Sequence, residues 1–127
     1  MKTLSRAMHW HLQLDQDFLR AELVSRETAG ETREFLHAVA AAATAHAMRR
    51  VLILVKSSKP LFKVDEYGIN EFLALLAQEP EGRVALLADS EEVRRSHEYV
   101  EVLARQCGAR VRSFPSESAA LEWLATG

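Results

Sequence analysis

The chain has 127 residues, 16 Lys plus Arg against 18 Asp plus Glu, and a formal net charge of -2. That length supports one compact core, so a single domain over 1–127 is expected, and 48% apolar with 27% charged residues excludes fibrous and disordered classes. The balanced charge supplies no global field for nucleic acid or an anionic membrane, and neither the first seven residues nor the Ala-rich stretch closed by Arg49 and Arg50 has the apolar run of an export signal or a membrane span.

Met8 to Leu14 alternates, with Trp10, Leu12 and Leu14 on one side and His9, His11 and Gln13 on the other, which reads as a half-buried strand. Asp15, Gln16 and Asp17 supply turn chemistry before a second alternating segment, Phe18 to Val24, so the two are expected to form an antiparallel hairpin. Thr28 with Glu31 is a capping-box signature for a helix from about Ala29 to about Ala47, carrying Phe35, Leu36, Val39, Ala40 and Ala43 on its apolar face. The unbroken run Val51 to Val55 is that of a central strand covered on both faces.

A polar loop, Lys56 to Lys63, leads to Asp65, an N-cap candidate for a helix with Ile69, Phe72, Leu73 and Leu76 at helical spacing. Val84 to Ala88 is a second buried strand. Asp89 or Ser90 then caps a helix with Val93, Val100, Leu103, Ala104 and Cys107 inward, which Gly108 stops. Arg110 to Phe114 is a short last strand, and Pro115 and Ser116 open a helix with Ala120, Trp123 and Leu124 inward. The expected architecture is α/β: one mixed, mostly parallel five-stranded sheet with an antiparallel N-terminal hairpin and about four helices, ordered ββαβαβαβα.

This order is similar to that of the STAS domain, the SpoIIAA-like fold of anti-sigma-factor antagonists and of the cytoplasmic parts of sulphate transporters. The ending resembles that group's tail: Cys107-Gly108-Ala109-Arg110-Val111-Arg112-Ser113-Phe114, then Ala120, Leu121, Glu122, Trp123 and Leu124, a strand ending in Phe before an Ala-x-x-Trp-Leu helix. In phosphorylatable members the loop after the central strand enters its helix through Asp-Ser-Ser-Gly. Here Asp65, Glu66, Tyr67 and Gly68 stand in that place, with Tyr67 where the phosphoacceptor serine would be. The resemblance therefore implies a divergent member, cytoplasmic and regulatory, working without the serine phosphoswitch.

The expected working surface is Lys56, Ser57, Ser58, Lys59, Phe62, Lys63, Asp65, Tyr67 and Gly68, because it joins the C-terminal end of a buried strand to a helix N-terminus, the edge where ligands of open α/β sheets sit. Two readings stay open. One is a protein–protein contact built on Leu61, Phe62 and Tyr67. The other is a small ligand, an anion or an amphipathic molecule, held between the helix and the sheet, with Lys56, Lys59 and Lys63 near free backbone amides. Ser57, Ser58 and Tyr67 are candidate phosphoacceptors only in the sense that a dianion at a helix start gains contacts.

His9 and His11 share a strand face, but no third His, Cys or Asp completes a ligand set, so they read as a polar outer face and no metal is expected. His37, His46 and His97 read as surface or boundary residues, and Cys107 as a small core residue. No nucleophile elbow, Walker loop or dinucleotide glycine motif is present, so neither an enzyme nor a cofactor is expected. Homodimerisation is left open.

Overall fold

The computed structural model describes residues 8–60, 68–79 and 81–126. Its elements run β1 (His9–Leu14), β2 (Leu19–Val24), α1 (Ala29–Ala45), β3 (Arg50–Lys56), α2 (Ile69–Ala77), β4 (Arg83–Ala88), α3 (Glu91–Cys107), β5 (Val111–Ser113) and α4 (Glu117–Ala125). The expected element order is the observed one. The strands form one sheet in the order β1-β2-β3-β4-β5, with β1 antiparallel to β2 and every later pair parallel.

Local chemistry sets the helix ends. At α1 the Glu31 amide donates to Thr28 Oγ1 at 3.2 Å and the Thr28 amide to the Glu31 carboxylate at 3.1 Å, the reciprocal pair that the sequence encodes. Of the two candidates before α3, Ser90 is the cap, accepting the Val93 amide at 3.2 Å; Ser116 does the same for Ala119 at 3.3 Å ahead of α4. Helix α2 departs from expectation. Its N-cap is Gly68, in the left-handed region at φ 76, so the described helix starts later than a cap at Asp65 would place it. A Cβ on Gly68 would meet Arg33 Cγ of α1 at 3.1 Å, so glycine permits both the backbone angle and the close approach of the two helices.

The alternation of β3 divides the core in two. Val51, Ile53 and Val55 face a cluster with α1, α2 and α3, containing Phe35, Val39, Leu73, Val93 and Val100. Leu52 and Leu54 face the other side, where α4 lays Ala120 and Leu124 against them and Ala85. Among the described residues three helices thus cover one face and a single nine-residue helix covers part of the other.

Arginines from three adjacent strands fasten that single helix. Arg20 of β2 makes a two-pronged pair with Glu117 in the first turn of α4, at 2.8 and 2.9 Å, and the shared bonds raise the arginine's pKa and lower the carboxylate's. At the far end Arg50 of β3 donates to the Leu124 carbonyl, and Arg83 of β4 donates to the Trp123 carbonyl at 2.8 Å and to Thr126 Oγ1 at 2.7 Å. A carboxylate at the N-terminus and guanidinium groups at the last carbonyls match the helix dipole. Trp123 lies between Phe114, ring centroids 5.4 Å apart, and the Arg83 guanidinium, 5.3 Å from the ring. At the β5 edge, Glu101 of α3 accepts both the Ser113 amide and its hydroxyl, so the strand's outward groups are partly satisfied from within the chain.

Phe35 is 1% exposed and sits in the three-helix cluster. Phe35→Ala is expected to lower the unfolding free energy by about 3–5 kcal/mol in a urea titration, while Glu122→Ala, on the exposed side of α4, changes it by less than about 0.5 kcal/mol.

Candidate functional site

Strands β2 and β3 end side by side, with Val24 opposite Lys56, and both break in the same way. Ser25 and Ser57, the next residue of each, adopt positive φ of 60 and 49, a conformation that costs a non-glycine residue about 1 kcal/mol or more and persists only where its surroundings enforce it. The enforcement is visible. The Ser25 amide donates to the Lys56 carbonyl at 3.0 Å, and the Ser57 amide reaches the Asp89 carboxylate, just past β4, at 3.0 Å. Ser58 Oγ accepts the Arg26 amide at 3.0 Å and donates to the Lys56 carbonyl at 2.9 Å. The Lys59 amide donates to the Arg26 carbonyl at 3.0 Å, and the Arg26 guanidinium donates back to the Lys59 carbonyl. Segments 25–27 and 57–59 are therefore tied together, with Asp89 joining the third strand.

Of the expected site residues, Lys56, Ser57, Ser58 and Lys59 come together on this edge, and Gly68 begins α2. Leu61, Phe62, Lys63, Asp65 and Tyr67 lie outside the described residues. Lys56 pairs with Glu22 at 3.0 Å and Lys59 with Glu27 at 3.9 Å, both as exposed surface pairs. The Ser58 hydroxyl is engaged as both donor and acceptor.

Sequence reasoning missed the polar residues beneath this edge. Arg26 is 3% exposed, Thr32 3% and His97 4%. They line a cavity of about 50 Å³ between the sheet and helices α1, α2 and α3, otherwise walled by Leu23, Phe35, Ile53, Ile69, Leu73 and Val100. Two polar atoms there, Thr32 Oγ1 and His97 Nδ1, are buried without a hydrogen-bond partner, an arrangement that costs about 1–3 kcal/mol per group when dry. Burial, assisted by the positive charge of Arg26, pushes the His97 imidazole down to about 3, so it is neutral at ordinary pH.

His97 is thus a core residue and not the boundary residue expected. The signal was present: Val93, His97, Val100 and Ala104 fall at i, i+4, i+7 and i+11, on the apolar stripe of α3. Cys107 is the converse correction, being exposed although the same stripe extends to it. Gly108 turns left-handed at φ 83, the Ala109 amide returns to the Ala104 carbonyl at 2.9 Å, and Ala109 takes the buried place beyond the helix.

His9 and His11 are exposed on the outer side of β1. Among the described residues no group of three His, Cys, Asp or Glu side chains is placed to hold a metal ion, and no helix is long and apolar enough to cross a membrane.

Neither a family model nor a curated protein matches the sequence. Solved structures do match in fold. An anti-sigma factor antagonist from Mycobacterium paratuberculosis is 15% identical, the match covering 94% of this chain and 96% of that one with a TM-score of 0.64. An uncharacterized protein of the DUF3478 family with a SpoIIAA-like fold, from Shewanella loihica, is 15% identical over 98% of this chain and 99% of its own, with a TM-score of 0.60. The fold of this chain is SpoIIAA-like.

Two outcomes follow for this region. The unfolded chain binds a proton on residue 97 below about pH 6.5 whereas the folded chain excludes it until about 3, so stability present above pH 6.5 is lost as pH falls through that window. Urea midpoints taken from pH 7 to pH 4 are expected to fall for the parent and to fall less steeply for His97→Leu. Ser58→Ala strands the Arg26 amide, and is expected to cost about 1–3 kcal/mol by the same titration at pH 7.

Proposed function

We propose that this SpoIIAA-like fold serves as a cytoplasmic, non-enzymatic regulatory module that binds a protein partner through the C-terminal edge of β2, β3 and β4 and the start of α2. The observation that carries the reading is the pair of left-handed serines, Ser25 and Ser57, held by reciprocal bonds between segments 25–27 and 57–59 and by Asp89. Two adjacent strands ending in the same enforced conformation make a rigid platform, and a platform ordered before binding loses little conformational entropy on association. The exposed Lys56–Glu22 and Lys59–Glu27 pairs give its rim alternating charge, which sets register and partner choice more than affinity. The fold neighbour described as an anti-sigma factor antagonist supports a protein partner, and the resemblance to that family implies contacts on the same edge.

Phe62, Lys63 and Tyr67 belong to the proposed surface by their sequence position between β3 and α2, and Tyr67 in the phosphoacceptor's place makes binding independent of serine phosphorylation. The alternative, a small anion at the start of α2 near Asp65 to Gly68, is less favoured because it would compete with Glu22 and Glu27 for Lys56 and Lys59.

The test is affinity capture from the native host with the chain as bait, followed by quantitative binding of the captured protein to variants. The double variant Lys56→Glu, Lys59→Glu and the single variant Tyr67→Ala are each expected to weaken binding at least tenfold with an unchanged melting temperature. Undiminished binding by both would remove this edge as the contact.

A further inference from the structure

We propose that the cavity enclosed by α1, α2, α3 and the sheet is a binding site for a small uncharged molecule with a hydroxyl head and a short apolar body, of the class of two- to four-carbon alcohols. The site lies beneath the surface proposed for the partner and shares Arg26 with it. Three observations specify the occupant.

The first is size. At about 50 Å³ the cavity exceeds the roughly 10–15 Å³ that one water needs and is about a third of the 150 Å³ of a dry cavity known to accept benzene, so it suits a few heavy atoms. The second is the unsatisfied chemistry. Thr32 Oγ1 of α1 and His97 Nδ1 of α3 are both buried and both lack a partner. A hydroxyl both donates and accepts, so it suits the threonine hydroxyl and either tautomer of a neutral imidazole. A carboxylate only accepts, and it would carry its charge among Leu23, Phe35, Ile53, Leu73 and Val100. Arg26, the cation among the described lining residues, already donates to the Lys59 carbonyl. The third is the apolar wall itself, which rewards a short hydrocarbon body and not a second polar group.

The site has a consequence for α2. Ile69, Phe72 and Leu73 of its first turns line the cavity, so an occupant bridging Thr32 and His97 braces the start of this helix against α1 and α3.

The experiment is a backbone-amide NMR titration of the full chain with ethanol, 1-propanol and 1-butanol, and in parallel with sodium butyrate. The expected result is saturable shifts concentrated at Thr32, Ile69, Leu73, His97 and Val100, at least tenfold tighter for 1-butanol than for butyrate, and at least tenfold weaker in Thr32→Val. Non-saturable shifts spread over the surface, butyrate binding as tightly as the alcohol, or affinity unchanged in Thr32→Val would overturn the proposal. So would contacts from these amides to water that persist at saturating alcohol, which would make the cavity a hydration site only. Should Thr32→Val fail to fold, Val100→Ile keeps both polar atoms and narrows the cavity by one methylene; it is expected to reverse the chain-length preference, and an unchanged preference would overturn the proposal.

Discussion

The handedness of the crossovers governs this architecture. Strands β2 to β5 are parallel and follow one another across the sheet in the order of the sequence. A right-handed connection repeated in one direction returns to the same side each time, so α1, α2 and α3 must share one face. The division of the core shows that they do, with all three on the Val51, Ile53 and Val55 side. Among the described residues the other face receives α4, whose apolar side, Ala120, Leu121, Trp123 and Leu124, packs with Phe18, Leu87 and Phe114 and is supplemented by Arg20, Arg50 and Arg83 at its two ends. Both faces are packed, and the second adds directed polar bonds at the two ends of its helix.

The same arrangement makes the C-terminal edge of the strands the place where polar chemistry collects. Three helix-entry loops leave on one side, and their backbone groups need partners that the strand ends supply only in part. Ser58, Asp89 and Arg26 provide them. Because the Arg26 guanidinium is buried to do so, it lies near His97 and helps to keep that imidazole neutral. The surface platform and the inner cavity therefore have Arg26 in common.

Where hydrophobic periodicity decides structure, the sequence is an adequate guide. The alternating hairpin, the Val51 to Val55 run and the capping pair Thr28 and Glu31 place every strand and the first helix to within two residues. Errors arise where residue type and position conflict. His97 is polar by type and core by position, and its position on the α3 stripe prevails. Cys107 has the stripe position but falls where Gly108 turns the chain away, so the helix end overrides the period. Gly68 starts α2 in the left-handed region, with the Arg33 side chain close by, a backbone conformation that hydrophobic periodicity does not announce. The buried Arg26 is likewise invisible, since its partner carbonyl at Lys59 is adjacent only after β2 and β3 have paired.

Strand order in register with sequence also bears on how the molecule assembles. Each strand pairs with the one before it in the sequence, yet every parallel pairing must first span a crossover helix, as Leu19 opposite Val51 and Val51 opposite Val84 show, so loop-closure entropy is lost before each pairing rewards it. A sheet built this way grows from its N-terminal hairpin as synthesis proceeds, each new strand and helix extending a template already present. Helix α4 comes last, and until it docks Leu52, Leu54 and Ala85 stay open to solvent. A chain in which α4 is undocked thus presents an apolar sheet face of the kind that invites aggregation.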